Sequence, residues 1–228
     1  MYLQEVCGFL QVDNGSAIKR LSVLGDKKKL RNIEMTDDPQ FEFLADSIWT
    51  HHAYGKNAIS SKGHHGNAVL SKTPIVSWEN IDISVLGFSQ RGILHGIIDM
   101  NMNAKNPKKL HVLCVHLGLL EAERKSQVKA LCQRIKESVP ETDAVILAGD
   151  FNDWRLTADR TLMEELDLQE GYRSIHGTLA RTFPSWMPLL RLDRIYFRGL
   201  AIKQAISLTG SPWNRLSDHA PLYMEYEF

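Results

Sequence analysis

The most constraining stretch of the chain is Ala144-Val-Ile-Leu-Ala-Gly-Asp-Phe-Asn-Asp-Trp154. Its first five residues are apolar and β-branched enough to read as a fully buried strand. The strand closes at Gly149, and the next polar groups are Asp150, Asn152 and Asp153. Taken alone, this is either a polar turn after a strand or a carboxylate and an amide delivered side by side to an active site. The rest of the chain has to decide.

A chain of 228 residues fits one large domain, here taken as residues 1–228. Lys plus Arg and Asp plus Glu stand at 27 each, so no overall basic field exists to hold a long nucleic acid nonspecifically. The three cysteines, Cys7, Cys114 and Cys132, are odd in number and lack a C-x-x-C pair. That is thiol usage for a reducing compartment rather than a disulfide framework. No apolar run approaches the roughly 20 residues of a membrane span, and no signal-peptide pattern opens the chain. The expectation is a soluble cytoplasmic protein with no obligate protein partner.

Other segments follow in order. Met1–Val6 reads as a strand ending in a carboxylate, and residues 7–38 as polar and mixed, with Lys27–Lys29 a solvated run. Asp38-Pro39 caps a helix predicted over residues 39–50, with His51 and His52 just past its end. Gly63–Ile75 is a glycine-flanked turn running into a short apolar strand; adjacent His64 and His65 would point to opposite faces of it. Strands near 82–88 and 92–100 form a hairpin around Arg91, and Leu110–Val115 is a buried strand ending at His116. Helices are predicted from about 119 to 138 and from 157 to 166, with strand 144–148 between them as a right-handed crossover. An irregular Gly-, Pro- and aromatic-rich stretch runs to Leu190. Strands then cover 194–197 and 205–208, and a terminal strand alternates Leu222, Met224, Tyr226 and Phe228 against polar partners.

Five strand ends thus carry polar groups: Glu5, His116, Asp150 with Asn152, Asp193, and Asp218 with His219. A buried carboxylate is costly unless it is paired or holds a metal, so a shared site explains the set better than five separate core pairs. Oxygen donors dominate, which suits a hard cation, Mg²⁺ or Mn²⁺, rather than structural zinc. Carboxylates, an amide and histidines around such a cation are suited to phosphoester hydrolysis.

The ordered set Leu3-Gln-Glu5-Val, Val115-His-Leu117, Gly149-Asp-Phe-Asn152, Leu192-Asp-Arg-Ile195 and Ser217-Asp-His219 resembles the endonuclease/exonuclease/phosphatase superfamily. Gly149–Arg155 and Arg181-Thr-Phe-Pro resemble most closely a bacterial subgroup of it. The resemblance implies an α/β (α+β) four-layer sandwich, two packed mixed β-sheets flanked by helices in the DNase I-like manner, with the site along one edge of the sheets. It implies Glu5 and, on the metal side, Asp218 as metal-binding residues. Asp150 would handle the attacking water, Asn152 and His116 would contact the phosphate, and His219 would be the terminal catalytic histidine with Asp193 as its carboxylate partner. Arg91 and Asn67 fall where the family has phosphate-side residues. Family members open with a further strand and helix before the Gln-Glu strand, so roughly 20–30 residues, that first strand and helix, are expected to be missing here.

Trp154, Trp213 and the apolar loop Phe183–Leu190 flank the motifs. They would stack on bases, touch a lipid, or support the core. The sequence therefore predicts a Mg²⁺-dependent phosphodiesterase of endonuclease type acting on nucleic acid. A phosphatase or phosphodiesterase for phospholipid, inositol-type or other small phosphodiesters is the alternative, and an inactive, truncated binding domain the third reading.

Overall fold

The structure is a computed structural model describing residues 6–13, 20–26, 49–60, 63–100 and 109–227. In chain order its strands are β1 (Val6–Asp13), β2 (Arg20–Asp26), β3 (His51–Ser60), β4 (Gly63–Ser71), β5 (Ile75–Asp82), β6 (Gly92–Asp99), β7 (Lys109–His116), β8 (Ala144–Asp150), β9 (Gln169–Glu170), β10 (Asp193–Arg198), β11 (Ala201–Ser207) and β12 (Leu222–Glu227). The helices are α1 (Glu121–Ser138), α2 (Thr157–Leu166), α3 (Gly171–His176) and α4 (Trp213–Leu216).

Among the described residues these strands form two six-stranded mixed sheets, ordered β11-β12-β2-β1-β4-β3 and β5-β6-β7-β8-β10-β9. Alternation along the strands divides the second sheet into two apolar faces. Leu94, Ile98, Val112, Cys114, Ile146, Ala148, Ile195 and Phe197 meet Val69, Leu222, Met224 and Tyr226 of the first sheet in the inter-sheet core. The intervening residues Ile93, Leu113, Val115, Val145 and Leu147 turn outward and are covered by Val128, Leu131 and Ile135 of α1 and Ala158 and Leu162 of α2. Burying each such Leu, Ile or Val contributes about 1.5–3 kcal/mol. Cys114 and Cys132 are both buried free thiols, and burial pushes the Cys132 thiol up to about 11, well away from reactivity.

The buried strand over 144–148 is central, flanked by β7 in parallel and β10 in antiparallel register, and the helix over 157–166 has the expected bounds. Three expectations are corrected. Residues 7–38 hold two strands, β1 and β2, whose short alternations (Leu10, Val12; Leu21, Val23) are diluted by polar neighbours. The strand expected near 82–88 lies at 75–82 instead; it is an edge strand exposed along most of its length, so hydrophobicity does not mark it. The stretch before Leu190 contains α3, capped by an unusual residue: the Glu170 side chain accepts from the Tyr172 and Arg173 backbone N–H groups. Glu5, Lys27–Lys29 and, apart from Trp49 and Thr50, the helix expected over 39–50 lie outside the described residues.

Candidate active site

The site grows out of the inter-sheet core. The row Cys114, Ala148, Ile195 runs across β7, β8 and β10, and two residues further along the same strands the register row is His116, Asp150, Asp193. Side chains two apart share a face, so a row of core residues ends in a row of polar ones. Gly149 makes the close approach feasible. Its φ is +149°, and a Cβ there would lie 1.8 Å from the Val115 carbonyl oxygen.

After Asp150 the chain turns sharply. Asn152 sits in the left-handed region at φ 48°, and its backbone N–H donates to Asp150 Oδ1 at 2.8 Å in an Asx turn. Its side-chain Nδ2 donates to the Leu117 carbonyl at 2.8 Å. That carbonyl is itself held in place by α1, whose buried Gln127 accepts from Gly118 N–H at 2.8 Å while Arg124 donates to the Gly118 carbonyl at 3.1 Å. Asp150 and Asn152 are almost fully buried, and His116 Nε2 lies 3.6 Å from Asp150 Oδ2.

His219 arrives from the loop before β12, in the other sheet. Its Nδ1 bonds Asp193 Oδ2 at 2.6 Å, which places the proton on Nδ1, and its ring centroid lies 4.8 Å from that of Phe183. The loop is tied down by Ala220 N–H donating to the Thr182 carbonyl at 2.7 Å and by Ser185 Oγ donating to the Ser217 carbonyl at 2.6 Å. One ligand atom from each of Asp150, Asp193 and His219 lies within 4.8 Å of the others. This is the group of potential metal ligands among the described residues, and its donors, two carboxylates and an imidazole, fit a divalent cation such as Mg²⁺ or Mn²⁺.

The other residues singled out by sequence stand as follows. Asp218 is exposed and outside that group; its backbone carbonyl accepts from Ser185 N–H at 2.8 Å. Glu5 lies outside the described residues. Asn67 is buried and bridges the sheets, its Nδ2 donating to the Gly92 and Cys114 carbonyls at 2.8 and 3.1 Å, so both hydrogens of that amide are engaged by backbone. Arg91 is half-buried beside Gly92 at the same end of the strands, with Nη1 donating to the Gln90 carbonyl. Trp154 is 48 % exposed, with the Arg124 guanidinium 4.8 Å over its ring. Trp213 is half-buried at the start of α4.

Sequence reasoning passed over the residues that hold this geometry. Asp153 is fully buried, accepts from the Thr157 and Ala158 N–H groups at the start of α2, and pairs with Arg194 Nη1 at 3.1 Å. Arg194, 1 % exposed, also donates to the Asp153 carbonyl and to the Tyr196 hydroxyl. Burial alone would raise the Asp153 carboxyl, but the Arg194 guanidinium overrules it and holds the acid below its usual range. The missed signal was an acid, Asp153, shortly ahead of a helical pattern, where negative charge favours the helix N-terminus.

With the geometry in place, comparison with known proteins is informative. The profile of the "Endonuclease/Exonuclease/phosphatase family" matches residues 3–219. The uncharacterized protein YbhP of Escherichia coli is 47 % identical over 189 residues, covering 83 % of this chain and 73 % of that one. Among solved structures, D. rerio TDP2 complexed with a single-strand DNA product is similar at TM-score 0.63 and 18 % identity, covering 83 % of this chain and 82 % of that one. A mannosyl-6-phosphatase from Bacteroides thetaiotaomicron is similar at TM-score 0.62 and 18 % identity, covering 83 % and 81 %. The two structural likenesses establish the shared DNase I-like fold. The chain belongs to the endonuclease/exonuclease/phosphatase family.

Proposed function

We propose that this chain is a divalent-metal-dependent phosphodiesterase in which Asp150 handles the attacking water and the His219–Asp193 pair serves the transition state. The observation that carries the reading is the convergence of Asp150, Asp193 and His219 within 4.8 Å, with His219 backed by Asp193 at 2.6 Å. Asp150 accepts the proton of a water that attacks phosphorus. The His219 Nε2 side stabilises the developing charge and gives a proton to the ester oxygen as the P–O bond breaks, while Asp193 stabilises the imidazolium. Asn152 uses one amide hydrogen on Leu117 and keeps the other for a phosphate oxygen, beside His116. Arg91, Trp154 and Trp213 are the proposed substrate-side residues, with Asn67 acting through the backbone of β6 and β7. Glu5 and Asp218 would hold Mg²⁺ or Mn²⁺ beside this cluster, and the ion when bound would neutralise phosphate oxygens.

Two substrate classes follow: nucleic acid, on the likeness to a DNA-bound structure, and phospholipid or other small phosphodiesters. The test is turnover of bis(p-nitrophenyl) phosphate by the purified chain with Mg²⁺ or Mn²⁺ and after chelation. Metal-dependent turnover that disappears in Asp150→Asn and His219→Ala is expected. Absence of turnover with either metal would instead support a binding domain without catalysis.

A further inference from the structure

The loops at the site end of the sandwich carry a feature that hydrolysis itself does not require. The register places the β5–β6 loop (83–91), the loop after β7 (117–120), the turn after β8 (151–156) and the loops before β10 and β12 at this same end. Their tips are bare apolar side chains: Phe88 is 85 % exposed, Trp186 69 %, Leu119 61 %, Leu120 56 %, Leu189 54 % and Met187 48 %. Scattered singly, such residues need no explanation; gathered on the loops of one end, they mark an interaction surface.

These loops also carry five arginines, Arg91, Arg155, Arg181, Arg191 and Arg215, and no lysine. Their acids are Asp218 and Asp153, and Asp153 is buried against Arg194. Arg155 pairs with Glu121 at 2.8 Å, so the described loops present four further arginines against the exposed Asp218, around the carboxylates Asp150 and Asp193 of the site, in a chain whose net charge is zero.

We propose that this rim docks the protein onto an anionic lipid bilayer, seating the apolar tips at the lipid–water boundary and presenting the site to phosphoester head groups. The proposal rests on the phosphodiesterase reading above and names its substrate class. Two observations favour lipid over nucleic acid. Leucine and methionine tips offer a base no ring to stack on, whereas aliphatic and aromatic side chains together with arginines suit an interface. Several backbone amides of the 182–190 hairpin are also engaged within it: Leu189 and Leu190 N–H donate to the Phe183 carbonyl at 2.8 Å, Thr182 N–H to the Leu190 carbonyl at 2.8 Å, and Met187 N–H to the Pro184 carbonyl at 3.0 Å. Each amide so engaged lowers the cost of seating the tip at a low-dielectric boundary. Phe183, at the base of this hairpin, packs its ring against His219 at 4.8 Å, so seating the tip fixes the site's height above the surface.

The experiment is sedimentation of the full chain with phosphatidylglycerol/phosphatidylethanolamine vesicles and with phosphatidylcholine vesicles, in EDTA so that no turnover occurs. Binding to the anionic vesicles is expected, with the partition coefficient falling about tenfold or more in Trp186→Ser/Met187→Ser/Leu189→Ser, and falling measurably in Phe88→Ser on a separate loop. Failure to bind, or binding unchanged in both variants, overturns the docking surface. So does a loss of single-stranded oligonucleotide binding in the variants without loss of vesicle binding, which would assign the rim to nucleic acid. Failure of the parent chain to bind vesicles while it turns over the soluble diester sinks the docking surface alone; vesicle binding by the parent chain without turnover of any diester sinks the phosphodiesterase reading alone.

Discussion

The second sheet carries a histidine–carboxylate array on each of its two faces, and they have opposite characters. On the inter-sheet face His116, Asp150, Asp193 and His219 end the core rows, two carboxylates and an imidazole converging within 4.8 Å. On the helix-covered face Arg134 Nε donates to His95 Nδ1 at 3.2 Å, His95 Nε2 lies 2.9 Å from His111 Nδ1, and His111 Nε2 lies 3.3 Å from Asp143 Oδ2. Because Arg134 can only donate, this second array has one consistent proton arrangement: His95 donates to His111, and His111 donates to Asp143. Every ring nitrogen is used within the protein. The same residue types thus converge as potential metal ligands on one face, and close on one another as a structural clamp on the other.

The largest expected effect tests the first half of that contrast. Asp150→Asn removes the charge but keeps an oxygen for the Asn152 N–H. Phosphodiester turnover should fall about 10³-fold or more while the melting temperature moves little. A variant that melts far earlier yet keeps most of its specific activity would make Asp150 a structural residue.

Next is the pair that joins the two faces. Arg194 lies on the helix side of β10 and holds Asp153, which follows the site turn. Arg194→Met leaves a buried carboxylate without its partner and should cost about 3 kcal/mol in denaturant unfolding. The double variant with Asp153→Asn should cost less than the sum of the single changes. Strict additivity would show that the pair is not coupled.

Much of this was legible in the sequence, for reasons that differ by element. The strand at 144–148 and the helix at 157–166 were readable because burial on both faces, or on one stripe, writes itself as periodicity. The candidate site residues stood out because polar groups at the ends of apolar runs are anomalous. Edge strand β5 and the helix capped by Glu170 were not readable, since one lacks a buried face and the other an ordinary cap. Arg194 was hidden inside a motif in which its neighbour Asp193 attracts attention. His95 and His111 alternate with apolar residues as any half-buried polar residue would, and their partnership is a diagonal between strands that no local pattern encodes.

The second array makes a pH prediction of smaller size. Burial first, then the His111 and Arg134 charges, pushes His95 down to about 4 from an ordinary value of 6.5. In the folded protein His95 stays neutral until about pH 4, whereas in the unfolded chain it takes up a proton near 6.5. The unfolded state therefore binds more protons across that window, and stability falls with acidification by at most about 1.4 kcal/mol per pH unit, with no further loss from this group below pH 4. His95→Gln keeps an acceptor for Arg134 and a donor for His111 but cannot titrate, so its unfolding free energy should depend less steeply on pH than the parent's between pH 6.5 and 4. Parallel pH curves for the two proteins would refute the assignment.

Arg134 supplies the finest test. Its guanidinium is one of the charges that oppose protonation of His95, and its salt bridge to Glu79 at 2.7 Å is on the surface, so little stability depends on it. Arg134→Gln retains a donor for His95 Nδ1 while removing the positive charge. The His95 titration, followed by its imidazole proton resonances, should then move upward from about 4, because burial and His111 still oppose the proton but the third cause is gone. An unmoved midpoint would mean that burial and His111 set it without help from Arg134. Turnover at the opposite face should not respond, because the clamp lies on the helix-covered side of the sheet, and a change in kcat without a change in His95 would show that the two faces communicate through α1 instead.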